Sequence, residues 1–336
     1  GDGNTLAIGA RYEGSAATGI NNTNPGQLDE NAPNAGAVYV FARADASWTQ
    51  QAYIKASHTG VNDFGTSVAL SADGNTLAVG AVGEDSAATD VNNATPGQGD
   101  ISAAYAGAAY IFKRATSGWS QQAYVKASNA HEYAFFGQAV ALSGDGRSLA
   151  VGAPSERSAA TGIYDLSVSP RAQSTLDALT NTSAGDSGAV YVYTQASDQG
   201  EWHPQAYVKA RNADAGDRFG VSVAFSAEGS TLAVGAPGET SAAKGINSTQ
   251  SDNSAYDAGA TYIFQRAGAT WAQQAYIKAG NSEFGDNFGV AVSLSSAGGT
   301  LAVGADKESG AGNGVNNTTL GQGDNGAQWA GAVYLY

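Results

Sequence analysis

The stretch Thr5-Leu6-Ala7-Ile8-Gly9-Ala10 returns four more times along the chain, with its leucine at Leu77, Leu149, Leu232 and Leu301. The steps between these leucines are 71, 72, 83 and 69 residues. A period of this size marks a repeat architecture, and it divides the chain into five copies at approximately 1–56, 57–127, 128–210, 211–279 and 280–336.

Each copy holds the same ordered set of short apolar runs separated by turn signals. In the second copy Phe64-Gly65-Thr66-Ser67-Val68-Ala69-Leu70 reads as strand A, and a turn around Asp73-Gly74 leads to strand B, Thr76 to Ala81. A long polar loop reaches strand C, Gly107 to Phe112, and Trp119 introduces strand D, Gln122 to Ala127. Four strands in a repeat of this length predict one propeller blade. Strand B alternates Leu77 and Val79 with Ala78 and Gly80, so both faces are apolar, one bulky and one small, as stacked sheets require. Trp48, Trp119, Trp202 and Trp271 recur before strand D and are expected in the contacts between blades. The first copy enters just before strand B and the last ends on strand C, giving eighteen strands. That number does not divide evenly into four-stranded blades, so the terminal blades are expected to be incomplete, or the chain to be a piece of a longer array.

Phe-Gly opens strand A at Phe64-Gly65, Phe136-Gly137, Phe219-Gly220 and Phe288-Gly289, and Gly-Ala closes strand B in all five copies, extended to Gly-Ala-Pro at Pro154 and Pro237. The chain thus resembles the FG-GAP repeat of integrin α-subunit propellers and of bacterial extracellular proteins. The resemblance implies an all-β propeller of four-stranded blades. It also implies calcium in the hairpin between strands A and B, but the residues there, Ser71 to Asn75, Ser143 to Arg147, Ser226 to Ser230 and Ser295 to Gly299, are too short and too poor in acids to carry that pattern.

Charged residues make up 14% of the 336, glycine accounts for 45, and the formal charge is −14 with a pI near 4.4. Such a surface repels phosphate backbones and anionic lipid, so no nucleic-acid partner and no membrane insertion are expected. No apolar run reaches the roughly 20 residues that span a bilayer. The absence of cysteine removes disulfides and thiolate metal sites. The Asn-, Thr- and Gly-rich texture resembles secreted bacterial proteins, which predicts a secreted or cell-surface location.

Chemistry is expected in the long loops between strands B and C. Glu13, Glu84, Glu156, Glu239 and Glu308 follow strand B in every copy, and Asp29, Asp100, Asn181, Asp252 and Asp324 stand seven residues before the strand-C glycine. Recurrent carboxylates of this kind are oxygen ligands of the sort Ca²⁺ takes, which makes these loops candidate calcium sites. The competing reading is that they cap turns and hold the loops. Before strand C the copies differ, carrying Asn34, Tyr105, Asp186, Tyr256 and Trp329, while Tyr12, Tyr133 and Tyr164 lie in other loops. Aromatic rings among Asn and Asp suit recognition of a sugar or protein, and Asn34, Tyr105, Tyr256 and Trp329 are the candidate ligand-binding residues. His58, His131 and His203 stand in no metal or triad spacing, and no catalytic motif is present. Asn-x-Ser/Thr occurs at Asn21, Asn93, Asn181, Asn247, Asn316 and Asn317, a glycan acceptor pattern in a eukaryotic secretory protein and ordinary loop chemistry in a bacterial one.

The expected function is an extracellular binding or adhesion module for a glycan or protein, without enzymatic activity. The alternative is a structural spacer that assembles with copies of itself through open blade edges, and the least favoured reading is an enzyme with a pocket at the propeller axis.

Overall fold

A computed structural model describes residues 2–21, 26–58, 60–92, 97–198, 200–315 and 324–336. The first blade holds β1 (Thr5–Ala10), β2 (Ala37–Ala44) and β3 (Ser47–Ile54). The second holds β4 (Phe64–Leu70), β5 (Thr76–Ala81), β6 (Ala108–Ala115) and β7 (Gly118–Val125). The third contains β8 (Ala139–Leu142), β9 (Ser148–Ala153), β10 (Ile163–Asp165), a short helix α1 (Gln173–Thr180), β11 (Ala189–Gln195) and β12 (Trp202–Val208). Blade four is β13 (Ser222–Phe225), β14 (Thr231–Ala236), β15 (Ala260–Ala267) and β16 (Thr270–Ile277), and blade five is β17 (Phe288–Leu294), β18 (Leu301–Ala305) and β19 (Ala332–Leu335). The architecture is all-β, five antiparallel blades in a propeller arrangement, with three strands in the first and last blades as the strand pattern requires. Blade three departs from the four-stranded plan. Its B-to-C loop, the source of the 83-residue step, returns as β10 to pair outside β12 and then forms α1.

Packing runs from blade to blade, β1 on β4, β4 on β8, β8 on β13 and β13 on β17. The core is therefore divided among four seams. Between blades one and two, Val38, Val40, Ala52 and Ile54 meet Phe64, Leu77, Val79, Tyr110, Phe112 and Tyr124. The other seams repeat this pairing of a small or β-branched face with an aromatic one. The aromatic side is ordered by edge-on contacts of the Phe-Gly phenylalanine with two strand-C rings, as in Phe64 with Tyr110 and Phe112. Trp119, Trp202 and Trp271 are buried as expected, and each indole N–H donates to a glutamine of the preceding blade, Gln51, Gln122 and Gln205, at 3.0–3.2 Å. Trp48 instead lies exposed beside Arg43.

What brings the faces together is backbone against backbone. A Cβ on Gly9, Gly80, Gly152 or Gly235 would lie 1.8–2.0 Å from the carbonyl oxygen of the Phe-Gly glycine in the following blade. The Phe-Gly glycines themselves hold φ between +90° and +95°, a region that glycine enters without steric cost. On the opposite rim, successive A–B hairpins hydrogen-bond to one another, Ala72 N to Gly144 O, Gly144 N to Ala227 O and Ala227 N to Ser296 O, each at 2.8 Å.

Gly80→Ala is therefore expected to destabilise the protein by about 1–3 kcal/mol, the usual range for overpacking. Gly304→Ala, at the same place in blade five but with its nearest atom 3.5 Å away, should be nearly neutral. Urea midpoints of the two variants check this, and equal losses would refute the contact as the cause.

Candidate functional site

The five glutamates after strand B lie at the base of the B-to-C loops, where four of them meet a cation that the chain itself supplies. In each of the four copies that have a strand D it ends in Tyr-x-Lys-Ala, and its lysine reaches the glutamate of the same blade. The pairs are Lys55–Glu13 at 2.5 Å, Lys126–Glu84 at 2.5 Å, Lys209–Glu156 at 2.9 Å and Lys278–Glu239 at 2.7 Å. The second carboxylate oxygen is also taken. Tyr53, Tyr124 and Tyr276 donate their hydroxyls to Glu13, Glu84 and Glu239 at 2.8–2.9 Å, and Asn129 and Asn212 donate to Glu156 and Glu239. Glu308, in the blade without a fourth strand, accepts from Asn281 and from the backbone N–H of Gly310. His58 occupies in the second copy the position of Asn129, Asn212 and Asn281.

A charge taken out of water needs a partner and further hydrogen bonds, and these clusters provide both. Burial pushes the Lys126, Lys209 and Lys278 ammoniums below the ordinary lysine range, and the paired glutamate pulls each back up. The geometry thus gives Glu13, Glu84, Glu156 and Glu239 the role of ion-pair partners of Lys55, Lys126, Lys209 and Lys278. Asp29, Asp100 and Asp252 accept the backbone N–H of Ala16, Ala87 and Ala242 at 2.7–2.8 Å, and Asp324 accepts that of Gly326 at 3.0 Å. Those backbone donors hold the Asp29, Asp100 and Asp252 carboxyls below the usual range. These are loop caps. Among the described residues no group of three or more His, Cys, Asp or Glu side chains could hold a metal ion.

The aromatic candidates fall into a different arrangement. Asn34, Tyr105, Asp186 and Trp329 all take left-handed φ, between +53° and +62°, two residues before the strand-C glycine. In the fourth copy that slot belongs to Asp257, φ +51°, so Tyr256 stands one residue out of register. The carbonyls of Asn34, Tyr105, Asp186 and Asp257 accept the N–H of the residue just before the next blade's Phe-Gly. Their side chains consequently stand at the junctions between blades, on the end of the propeller that carries the B-to-C loops.

Two junctions gather rings there. Tyr105 stacks on Tyr133 with centroids 5.8 Å apart and planes 14° apart, and meets Phe135 edge-on. Tyr256, 61% exposed, leans on Phe284, 73% exposed, at 6.0 Å. Phe135 and Phe284 escape the sequence reading because they lie in the short D-to-A connections, which carry no repeat signal of their own. Tyr12 is exposed, with the Arg11 guanidinium 4.7 Å above one face of its ring, and Arg11 pairs with Asp63. Trp329 is exposed, and Tyr164 lies in β10 against Tyr207. Beside α1 a cavity of about 820 Å³ is lined by Leu166, Val168, Pro170, Leu176 and His203, with the Arg171–Asp90 pair at its wall. The Asn-x-Ser/Thr sites at Asn93, Asn316 and Asn317 lie outside the described residues.

Two buried acids lie at the junctions that lead into blades four and five. Asp217 and Asp286 stand two residues before Phe219 and Phe288 and accept the N–H of Asp214 and Glu283 at 2.8 and 2.7 Å. Burial pushes Asp217 up to about 7, with Glu239 adding to the rise, and Asp286 up to about 6, with Glu308 adding.

Replacing Lys126 by Met leaves Glu84 buried without its cation and is expected to cost about 3–5 kcal/mol, most of it recovered in the Glu84→Leu/Lys126→Met double variant. Urea unfolding of the three proteins decides between this and a merely peripheral pair. For Asp217 the folded pKa lies above the unfolded one, so its stabilising contribution is complete below pH 4 and is lost as pH rises through about 7. Asp217→Asn should raise Tm at pH 8 and leave it nearly unchanged at pH 4, and a pH-independent difference would contradict the burial.

A family model described as FG-GAP repeat matches residues 119–163 and 202–264. No curated protein matches the chain. Among solved structures it is similar to a periplasmic gluconolactonase of Pseudomonas aeruginosa, 19% identical, with TM-score 0.36 and coverage of 89% of this chain and 75% of that one. A putative 6-phosphogluconolactonase of Bacteroides uniformis is 12% identical, with TM-score 0.38 and coverage of 95% and 81%. The β-propeller domain of Myceliophteria thermophila Cps50 (Swd1) is 12% identical, with TM-score 0.26 and coverage of 80% and 87%. Two of these three relatives are described as lactonases, so the expectation that the chain is not an enzyme is withdrawn. Likenesses at this level transfer no activity, substrate or site residue. The FG-GAP repeat match over residues 119–163 and 202–264 falls within blades two to four, and the Phe-Gly and Gly-Ala contacts that mark the repeat recur at all four seams of the five-bladed β-propeller.

Proposed function

We propose that the chain is a binding module, presented outside the cytoplasm, that recognises a glycan or protein through the loop end of the propeller. The observation that carries this reading is the pairing of exposed rings at two blade junctions, Tyr105 with Tyr133 and Tyr256 with Phe284. Exposed rings held in fixed pairs offer flat apolar area with little rotamer entropy to lose, and neighbouring Asp and Asn side chains offer hydrogen bonds. The blade junctions hold each ring from two sides, which supports a preformed platform. The net charge of −14 supports a neutral or basic partner. Among the described residues no helix is long and apolar enough to cross a membrane.

A glycan array and an extracellular-protein pull-down, each run with the wild type and with Tyr105→Ala/Tyr133→Ala and Tyr256→Ala/Phe284→Ala variants, test the proposal. A captured ligand should bind one of the variants at least tenfold more weakly, at unchanged Tm, since central aromatic contacts are worth about 2 kcal/mol or more. Capture that neither double variant weakens would overturn the assignment of the platform.

A further inference from the structure

Around Glu239, blade four assembles a set of groups that an ion pair alone does not require. Lys278 donates from Nζ to Oε2 of Glu239 at 2.7 Å, and Asn212 donates from Nδ2 to Oε1 at 3.1 Å. One carboxylate thus holds an amine and a carboxamide side by side, the arrangement that turns an encounter between two groups into an intramolecular one. The carboxamide is fixed in orientation. Its Nδ2 also donates to the Gln250 carbonyl at 3.1 Å, and its Oδ1 accepts the hydroxyl of Tyr262 at 2.9 Å. Lys278, Glu239 and Tyr262 are fully buried.

The neighbouring blades show the same cluster with one part changed. Blade two places His58 where Asn212 stands, and in blade five Asn281 meets Glu308 but no lysine does so among the described residues. Blade three has Asn129, Glu156, Lys209 and Tyr191 in the corresponding places. There, however, the Lys209 ammonium donates to three acceptors, Glu156, the Ser158 carbonyl and the Ser187 hydroxyl, at 2.6–2.9 Å. The position of Ser187 is Ala258 in blade four, and among the described residues Lys278 Nζ donates to Glu239 alone. Its amine is therefore the least restrained of the buried lysines beside an asparagine.

We propose that blade four carries an intramolecular amide cross-link between Lys278 Nζ and Asn212 Cγ, formed by the protein itself with Glu239 as proton carrier. The Glu239 carboxylate takes a proton from the Lys278 ammonium, and the freed Nζ lone pair attacks Cγ. Glu239 passes that proton to Nδ2, the Cγ–Nδ2 bond breaks, and ammonia leaves with the electron pair of that bond. Glu239 then removes one of the two protons left on Nζ and ends as the neutral acid. Nothing is oxidised or reduced, and no co-reactant enters. The Tyr262 hydroxyl already donates to the oxygen on which negative charge develops during the attack. Burial, which holds the Lys278 ammonium below the ordinary lysine range, favours the first proton transfer. The product replaces a buried ion pair by a neutral amide and a neutral acid. The bond ties the chain just before β13 to the chain just after β16, closing all of blade four into a covalent loop in a protein without cysteine.

Mass spectrometry of the purified, denatured chain tests this directly. The intact mass is expected about 17 Da below that of the sequence, the loss of one ammonia. Trypsin should release a branched peptide joining residues 212–218 to 267–307, since the modified Lys278 is no longer a cleavage site. Asn212→Ala, which keeps the Lys278–Glu239 pair, and Glu239→Gln should both show their full sequence masses. A wild type of full sequence mass overturns the proposal, as does a branch at Lys209 in place of Lys278, or a bond that survives Glu239→Gln.

Discussion

Everything in this propeller depends on two backbones meeting where no side chain fits, the Gly-Ala glycine of one blade under the carbonyl of the Phe-Gly glycine of the next. Such close approach leaves no room for even a methyl group, so neither glycine is free to change. It also sets the distance between sheets, and that distance decides what the remaining strand positions hold. One face of a blade must be shallow, hence Ala78, Ala109 and Ala123, while the facing one must reach across, hence Phe136, Tyr191, Tyr193 and Tyr207. The glycine content and the low charge of the chain follow from this arrangement, since nearly every strand residue of β5, β9 and β14 lies between two blades.

The buried glutamate–lysine pairs answer a second constraint. A B-to-C loop leaves strand B on a seam and must return to strand C beside it, so its base passes through the interior where backbone groups need partners. The glutamate fixes the departing end, its lysine anchors strand D to the same point, and Ser15, Ser86, Ser158 and Ser241 side chains take the next backbone N–H groups. The ion pair thus joins the inner and outer parts of a blade through the loop between them. An apolar replacement of both partners could equal it in stability, but it would leave the loop end without its donor and acceptor.

The fold was legible because its signals are local and repeated. Leu77, Gly80 and Phe64 recur in register, and the longest step, of 83 residues, is the one that spans β10 and α1. That β10 would pair outside β12 was not legible, because Ile163 to Asp165 is too short to read as a strand. The glutamates were legible as a set, but their lysine partners were not. Their lysines recur as regularly, at Lys55, Lys126, Lys209 and Lys278, yet the two series lie on different elements, separated by 39 to 53 residues, and only the folded blade superimposes them. The off-register Tyr256 has the same origin. Ring character was matched across copies, whereas the chain matches backbone, and Asp257 holds the left-handed position.

The seams also give the array a direction. Every one sets the shallow face of a blade against the aromatic face of its successor, so the contact is heterologous and does not pair like with like. Blade one accordingly shows Leu6 and Ile8 to solvent where Leu77 and Val79 are covered, and blade five shows the opposite, shallow surface. A two-fold contact between identical blade-five faces would set shallow against shallow and leave a gap where four internal seams hold a phenylalanine.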